Sequence, residues 1–210
     1  MTCFNIDVRT SADGHGTVTT PAFHTALAGE RLLAFAASDG PSSGGQTLTI
    51  SGAGLTWTLV QRANSRLGTA DIWTATAAAV LTSATVTSTQ SAGGFDQSLT
   101  VIAMQGTGGI GASIGGGAPS GAPSVTLTTR GAGSLVFGVG NDWDAATSRT
   151  TGANQVLLHQ WADGGSGDTF WSQNTTAPVG PAGTVATLND TAPVTDQWNL
   201  AAVEILADGT

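Results

Sequence analysis
The chain is a succession of short apolar runs with two kinds of patterning. Leu32 to Ala37 (LLAFAA), Ser98 to Met104 (SLTVIAM), Ser134 to Gly140 (SLVFGVG) and Trp198 to Leu206 (WNLAAVEIL) are nearly continuous in apolar residues, which predicts strands buried on both faces. TVTTPAF, QTLTISG, LTWTLVQRA, VTLTT and TVATLND instead alternate with period two, the pattern of strands with one wet face. Pro21 marks the first of these as an edge or strand-terminal segment, because proline cannot donate to a ladder. Asn64 to Gly68, between LTWTLVQRA and TADIWTATA, predicts a hairpin loop. Apart from a single turn around Ala78, no helical period of useful length occurs. The pattern predicts an all-β protein of about twelve strands, each about five or six residues long.

The runs repeat. Leu55 to Thr76 has a second version in Gln155 to Thr176, each an alternating run, a small polar loop and a run built on a tryptophan, Trp73 and Trp171. LLAFAASDG pairs with SLVFGVGND upstream, and FDQSLTVIAM with TDQWNLAAVE downstream. Two diverged halves, about 16–105 and 124–206, are therefore expected, joined by the Gly-rich tract 106–123 as a surface connection, with Ile110 and Ile114 available to anchor it. One intertwined antiparallel β-sandwich, jelly-roll-like, is the expected architecture for residues 1–210, because each half alone has few strands for a closed core. Two tandem immunoglobulin-like domains are the competing arrangement, without the Cys–Trp–Cys signature.

Composition narrows the chemistry. The formal net charge is −8, all six basic residues are arginines and none is lysine. Scattered cations on an acidic chain argue against a nucleic-acid partner, and no run is long enough for a membrane span. Schiff-base chemistry and a phosphate-loop lysine are excluded. A single cysteine, Cys3, precludes an internal disulfide framework and reads as an unpaired residue near a chain end. MTCFNIDVRTSADGHG lacks the basic and apolar regions of an export signal.

The residues offer three kinds of site. His15, His24 and His159 sit in no catalytic motif, and neither GxSxG nor HExxH occurs, so the chain is expected not to be an enzyme; a dispersed Ser–His–Asp triad leaves no sequence signature. Loop carboxylates offer calcium ligands, with Asp39, Asp163 and Asp168 the candidates, although aspartate also favours turns for local reasons. Tryptophans beside those loops offer a stacking surface for sugar rings. Trp143 and Trp161 lack counterparts in the first half, and with Asp142 and Asp144 they form the candidate ligand-binding set. Trp73 and Trp171 read as shared core residues, Trp57 and Trp198 as core.

GLTWTLVQRAN, ADIWTATA, GVGNDWD and LNDTAPVTDQWNLAAVEIL resemble β-sandwich modules of large exported bacterial proteins. AGERLLAFAASDG and VIAMQGTGGIGA are similar, more loosely, to tail and surface proteins of bacterial viruses. Both resemblances imply presentation at a surface, extracellular or on a virion, and supply no catalytic residue. The expectation is a non-catalytic extracellular binding or adhesion module taking a polysaccharide or glycan through one end of the sandwich. The alternative is a structural protein of a virion or cell-surface layer that self-associates through uncharged faces.

Overall fold
A computed structural model describes residues 4–209, so Cys3 lies outside the described residues. The first half contains β1 (Asn5–His15), β2 (Val18–Thr19), β3 (Glu30–Ser38), β4 (Leu48–Gly52), β5 (Thr58–Ala63), β6 (Thr69–Ala77), β7 (Val86–Gln90) and β8 (Asp96–Gln105). The second contains β9 (Thr107–Ala118), β10 (Ser124–Thr128), β11 (Leu135–Asp142), β12 (Thr150–Thr151), β13 (Gln155–Asp163), β14 (Asp168–Thr175), β15 (Val185–Ala192) and β16 (Trp198–Ala207). The first half forms sheets of order β1-β8-β3-β6-β5 and β2-β7-β4, the second β9-β16-β11-β14-β13 and β10-β15-β12. Each strand of one half thus occupies the place of the strand eight later in the other. The antiparallel all-β sandwich of the sequence reading is present, and the order is that of a jelly roll whose fifth strand has joined the larger sheet.

Two expectations differ from this architecture. No sheet mixes strands of the two halves, so each half forms its own sandwich rather than a share of one intertwined sandwich. The Gly-rich tract is not a surface connection: it is β9, a strand paired along its length with β16. Its glycines serve close packing. A Cβ on Gly115 would lie 2.8 Å from the Arg62 carbonyl, one on Gly117 2.7 Å from Ser65 Oγ, and one on Gly111 would run into the Glu204 carboxylate. Small residues let this edge strand press against β5 and its hairpin.

Side-chain parity explains the continuous apolar runs. In β3, Leu32, Ala34 and Ala36 enter the first sandwich beside Val18, Ile50 and Val101. Leu33, Phe35 and Ala37 point the other way, into a central core shared with Leu135, Phe137, Val139, Ala201 and Val203 of the second half. The second sandwich is filled by Val136, Trp171, Leu188, Trp198 and Leu200. Both large sheets are therefore coated on both faces, and the molecule is four layers deep. Phe35 and Phe137 stack at 6.0 Å, 19° from parallel, at the middle of the shared core.

Polar contacts lock the halves together. The β5–β6 hairpin reaches into the second half, where the Leu67 carbonyl accepts from Asn141 Nδ2 (3.1 Å) and Asn199 Nδ2 (3.0 Å). The Arg66 amide donates to Asn199 Oδ1 at 3.0 Å. Asn141 and Asn199 are 1% and 0% exposed, so these bonds have no competition from bulk water. At the outer edges, His159 Nε2 meets the Asp13 carboxylate at 2.8 Å and Ser113 Oγ donates to Gln61 Oε1 at 3.2 Å.

Candidate functional site
The end of the molecule where β3 and β11 finish gathers every candidate residue except Trp161, whose half-buried side chain packs against the central core. The Asp142 carboxylate, completely buried, pairs with the Arg149 guanidinium and accepts from the amides of Asp144 (2.7 Å) and Ala145 (3.3 Å). Burial pushes its carboxyl up to about 6, against the pull of Arg149 and the Asp144 amide. Arg149 also lies over the Trp171 ring, 4.5 Å from its centroid. Asp190, 2% exposed, feels the charge of the same arginine with neither carboxylate oxygen hydrogen-bonded, and burial raises it to about 7 while Arg149 and Gln173 lower it. Sequence reasoning passed over Arg149, Asp190 and Gln173. Two single-charge signals existed, an arginine and an aspartate inside alternating segments, but nothing in the order of residues brings them together.

A second acidic group spans the boundary between halves. Asp39, directly after β3, donates its amide to the Asp96 carbonyl at 2.9 Å. Burial raises its carboxyl to about 7, with Asp168 and Asp96 adding repulsion and the Gly40 amide and Trp143 indole opposing. The Trp143 N–H approaches without closing a hydrogen bond, since both it and Asp39 Oδ1 are buried without a partner. Asp168 is 3% exposed and raised, first by burial and then by Asp163, Asp96 and Asp144, with Ser166 opposing. Asp163 accepts from the Gly165 amide (2.8 Å) and Ser166 Oγ (2.9 Å), the bonds of a local turn.

The proposed ligand-binding set does not assemble. Trp161 packs on Phe170 at 5.6 Å against the central core, where a strand that faces the other half must be apolar. Trp143 is half-buried with its N–H turned inward, and Asp142 is sealed in its ion pair. Asp144 alone is exposed, and it binds both nitrogens of Gln197 at 2.8 Å. Asp168 adds repulsion at Asp39 and Asp163 adds it at Asp168, yet among the described residues no group of three or more His, Cys, Asp or Glu side chains is disposed to hold a metal ion. Trp73 and Trp171 both enter their own sandwiches, but Trp73 pairs with Ala34 and Trp171 with Gly140, so they are not spatial equivalents when Phe35 and Phe137 are matched. Ser172 sits opposite His159 in the ladder, and its buried hydroxyl has no partner, so the His159–Asp13 pair lacks the nucleophile–base bond of a triad.

Glu204 is a further buried carboxylate, beside Glu30 and Asp71, and its role is structural. Burial by itself would raise it, but the Ser134 hydroxyl and the amides of Ala112, Gly131 and Arg130 together hold it below the ordinary range. It ties β16 to β9 and to the turn before β11.

Fold and contacts together define an all-β protein of two face-to-face jelly-roll sandwiches, with buried ion pairs that organise loops. No family model matches the chain, and no curated protein or solved structure matches it. No helix among the described residues is long and apolar enough to cross a membrane.

Proposed function
We propose that this chain is a non-catalytic structural module of a virion or cell-surface layer, extracellular or surface-associated, which packs against further copies through the outer faces of its three-stranded sheets. One observation carries the reading: both outer faces are hydroxyl-rich and free of charge. On the first, Thr49, Ser51, Thr85 and Thr89 are exposed, and Thr19 bonds Thr87 across the ladder at 2.9 Å. On the second, Ser124, Thr128 and Thr187 are exposed, and Thr126 bonds Thr187 at 3.0 Å. The only ionisable residue in these six strands, Asp190, points inward. A chain of net charge −8 that leaves these two faces neutral lets copies meet there without repulsion.

The reading is preferred over glycan stacking because every tryptophan is buried or half-buried. Calcium retains the support of the Asp39–Asp168 approach alone. Light scattering across a hundredfold range of protein concentration tests the module: growth of higher-order species is expected, abolished by Thr87→Lys with Thr187→Lys. A concentration-independent monomer would overturn it, and binding of that monomer to a glycan array would restore the carbohydrate alternative.

A further inference from the structure
We propose that the groove beside β13 and β15 is a binding site for a single planar aromatic ring. The two halves treat this corner differently. In the first, β4 pairs with β7 from Gln90 to Val86, and the chain then turns so that Trp57 caps the sandwich, packed on its core with Nε1 donating to the Gly52 carbonyl at 3.2 Å. In the second, β12 is two residues long and pairs only with Asp190 and Ala192, leaving Val185 to Thr187 of β15 without a strand partner on that side, where Gln155 Nε2 reaches the Thr187 carbonyl at 3.4 Å. The residue in the place of Trp57 is Ala153. Phe35 pairs with Ile72 and Phe137 with Asn174, which makes Thr74 and Thr176 equivalent; Thr58 pairs with Thr74, and Asn154 accepts from the Thr176 amide at 2.8 Å. Trp57 and Ala153 each precede those partners.

The result is a groove of about 280 Å³ where the first half holds an indole. Its apolar side is Ala153, Val179 and Ala186, the latter two belonging to the second core; Asn154, Thr175 and Thr187 add polar groups. The volume is below the roughly 300–1,000 Å³ of drug-sized sites, which suits one ring. The first half shows the chemistry accepted at this corner: a flat apolar ring with one N–H for a backbone carbonyl. The groove shares Thr187 with the outer face proposed above, but its apolar side of Ala153, Val179 and Ala186 is no part of that face, so either can fail alone.

Indole is the probe. Titrated into the native protein and followed by amide NMR, it is expected to give saturable shifts at Asn154, Gln155 and Thr187, with one equivalent bound. Ala153→Trp fills the groove and is expected to abolish those shifts. Trp57→Ala opens the matching corner of the first half and is expected to bind two equivalents, with indole restoring part of its lost melting temperature, as dry engineered cavities accept apolar ligands. A Gly-Trp-Gly peptide distinguishes the source: tighter than indole, the ring arrives on a protein partner; weaker, it arrives as a free small molecule. Absence of saturable shifts in the native protein with both probes, or shifts unchanged by Ala153→Trp, would overturn the site.

Discussion
Gln90 and Asp190 are the last inward-facing residues of equivalent strands, and they fill the wet end of their sandwiches in opposite ways. Gln90 donates to Ser38 Oγ (2.7 Å) and the Phe95 carbonyl (2.9 Å), while nearby Gln97 accepts from Ser88 Oγ (2.7 Å) and donates to the Gly16 carbonyl. This neutral network satisfies its members locally. Asp190 has no hydrogen bond from either oxygen and depends on Arg149, which is already paired with Asp142. The same divergence recurs at the boundary, where Asn141 and Asn199 of the second half hold a hairpin and Asp39 and Asp96 occupy the corresponding positions in the first. The strand order common to both halves tolerates both because the pairing order of the large sheets and the apolar parity are kept, while the polar ends and the length of β12 against β4 differ. Amides carry donor and acceptor together, whereas a carboxylate requires a counter-charge or a proton.

The comparison can be broken most forcefully at Arg149. Arg149→Leu strands two buried carboxylates and is expected to lower the unfolding free energy by about 3–5 kcal/mol, measured by urea denaturation, whereas Gln90→Leu in the neutral network is expected to cost only about 1–3 kcal/mol. Equal losses would mean that charge plays no special part in the second half.

Asp190→Asn converts the charged end toward the neutral one. Because burial raises the Asp190 carboxyl to about 7, the folded protein retains a proton that the unfolded chain releases near pH 4. Its contribution to stability is therefore full in acid and is lost as pH rises through about 7. Native stability is expected to fall between pH 5 and pH 8, with Asp39, Asp142 and Asp168, all raised, adding in the same direction. The asparagine variant should flatten that slope and gain roughly 2 kcal/mol at pH 8. A slope identical to that of the native protein would remove Asp190 from the account.

Asn199→Ala tests the boundary and carries the smallest effect. It leaves the Arg66 amide without its acceptor and the Leu67 carbonyl with one donor, an expected loss of about 1–2 kcal/mol. Amide exchange at Arg66 should accelerate while the centres of β3 and β11 stay protected. Uniform acceleration would show instead that the halves unfold as one unit whose boundary bonds are not separable.

Alternation and apolar runs made the strands legible one by one, since period two reports which face of a strand is wet. Phe35 and Phe137, paired in the sequence reading, stand on β3 and β11, strands with the same place in their sheets. The tryptophan match was a false guide to register: Trp73 and Trp171 share a face but pair with Ala34 and Gly140, because hydrophobic similarity specifies the face and leaves position along the strand free. The glycine tract misled for a related reason. Glycine density usually signals turns, but Gly115 and Gly117 are small so that the other half can approach, and Gly111 so that Glu204 of the neighbouring strand fits, and a sequence does not record its neighbours.

What the chain determines by itself is the all-β class and the two coats of the central strands. Leu32 to Ala37, an apolar run bounded by turn residues, reads as a strand buried on both faces, and its counterpart around Phe137 reads the same way. What only tertiary structure decides is which second layer covers which coat, and hence that Trp161 packs against the central core, that Arg149 pairs with Asp142 and also attracts Asp190, and that Asp168 repels Asp39. Burial patterns are local and follow from the period of the backbone. Partners across a sandwich are chosen by closing long loops and filling a shared volume, and residues far apart in the chain acquire their charges, pairs and exposure only when those layers meet.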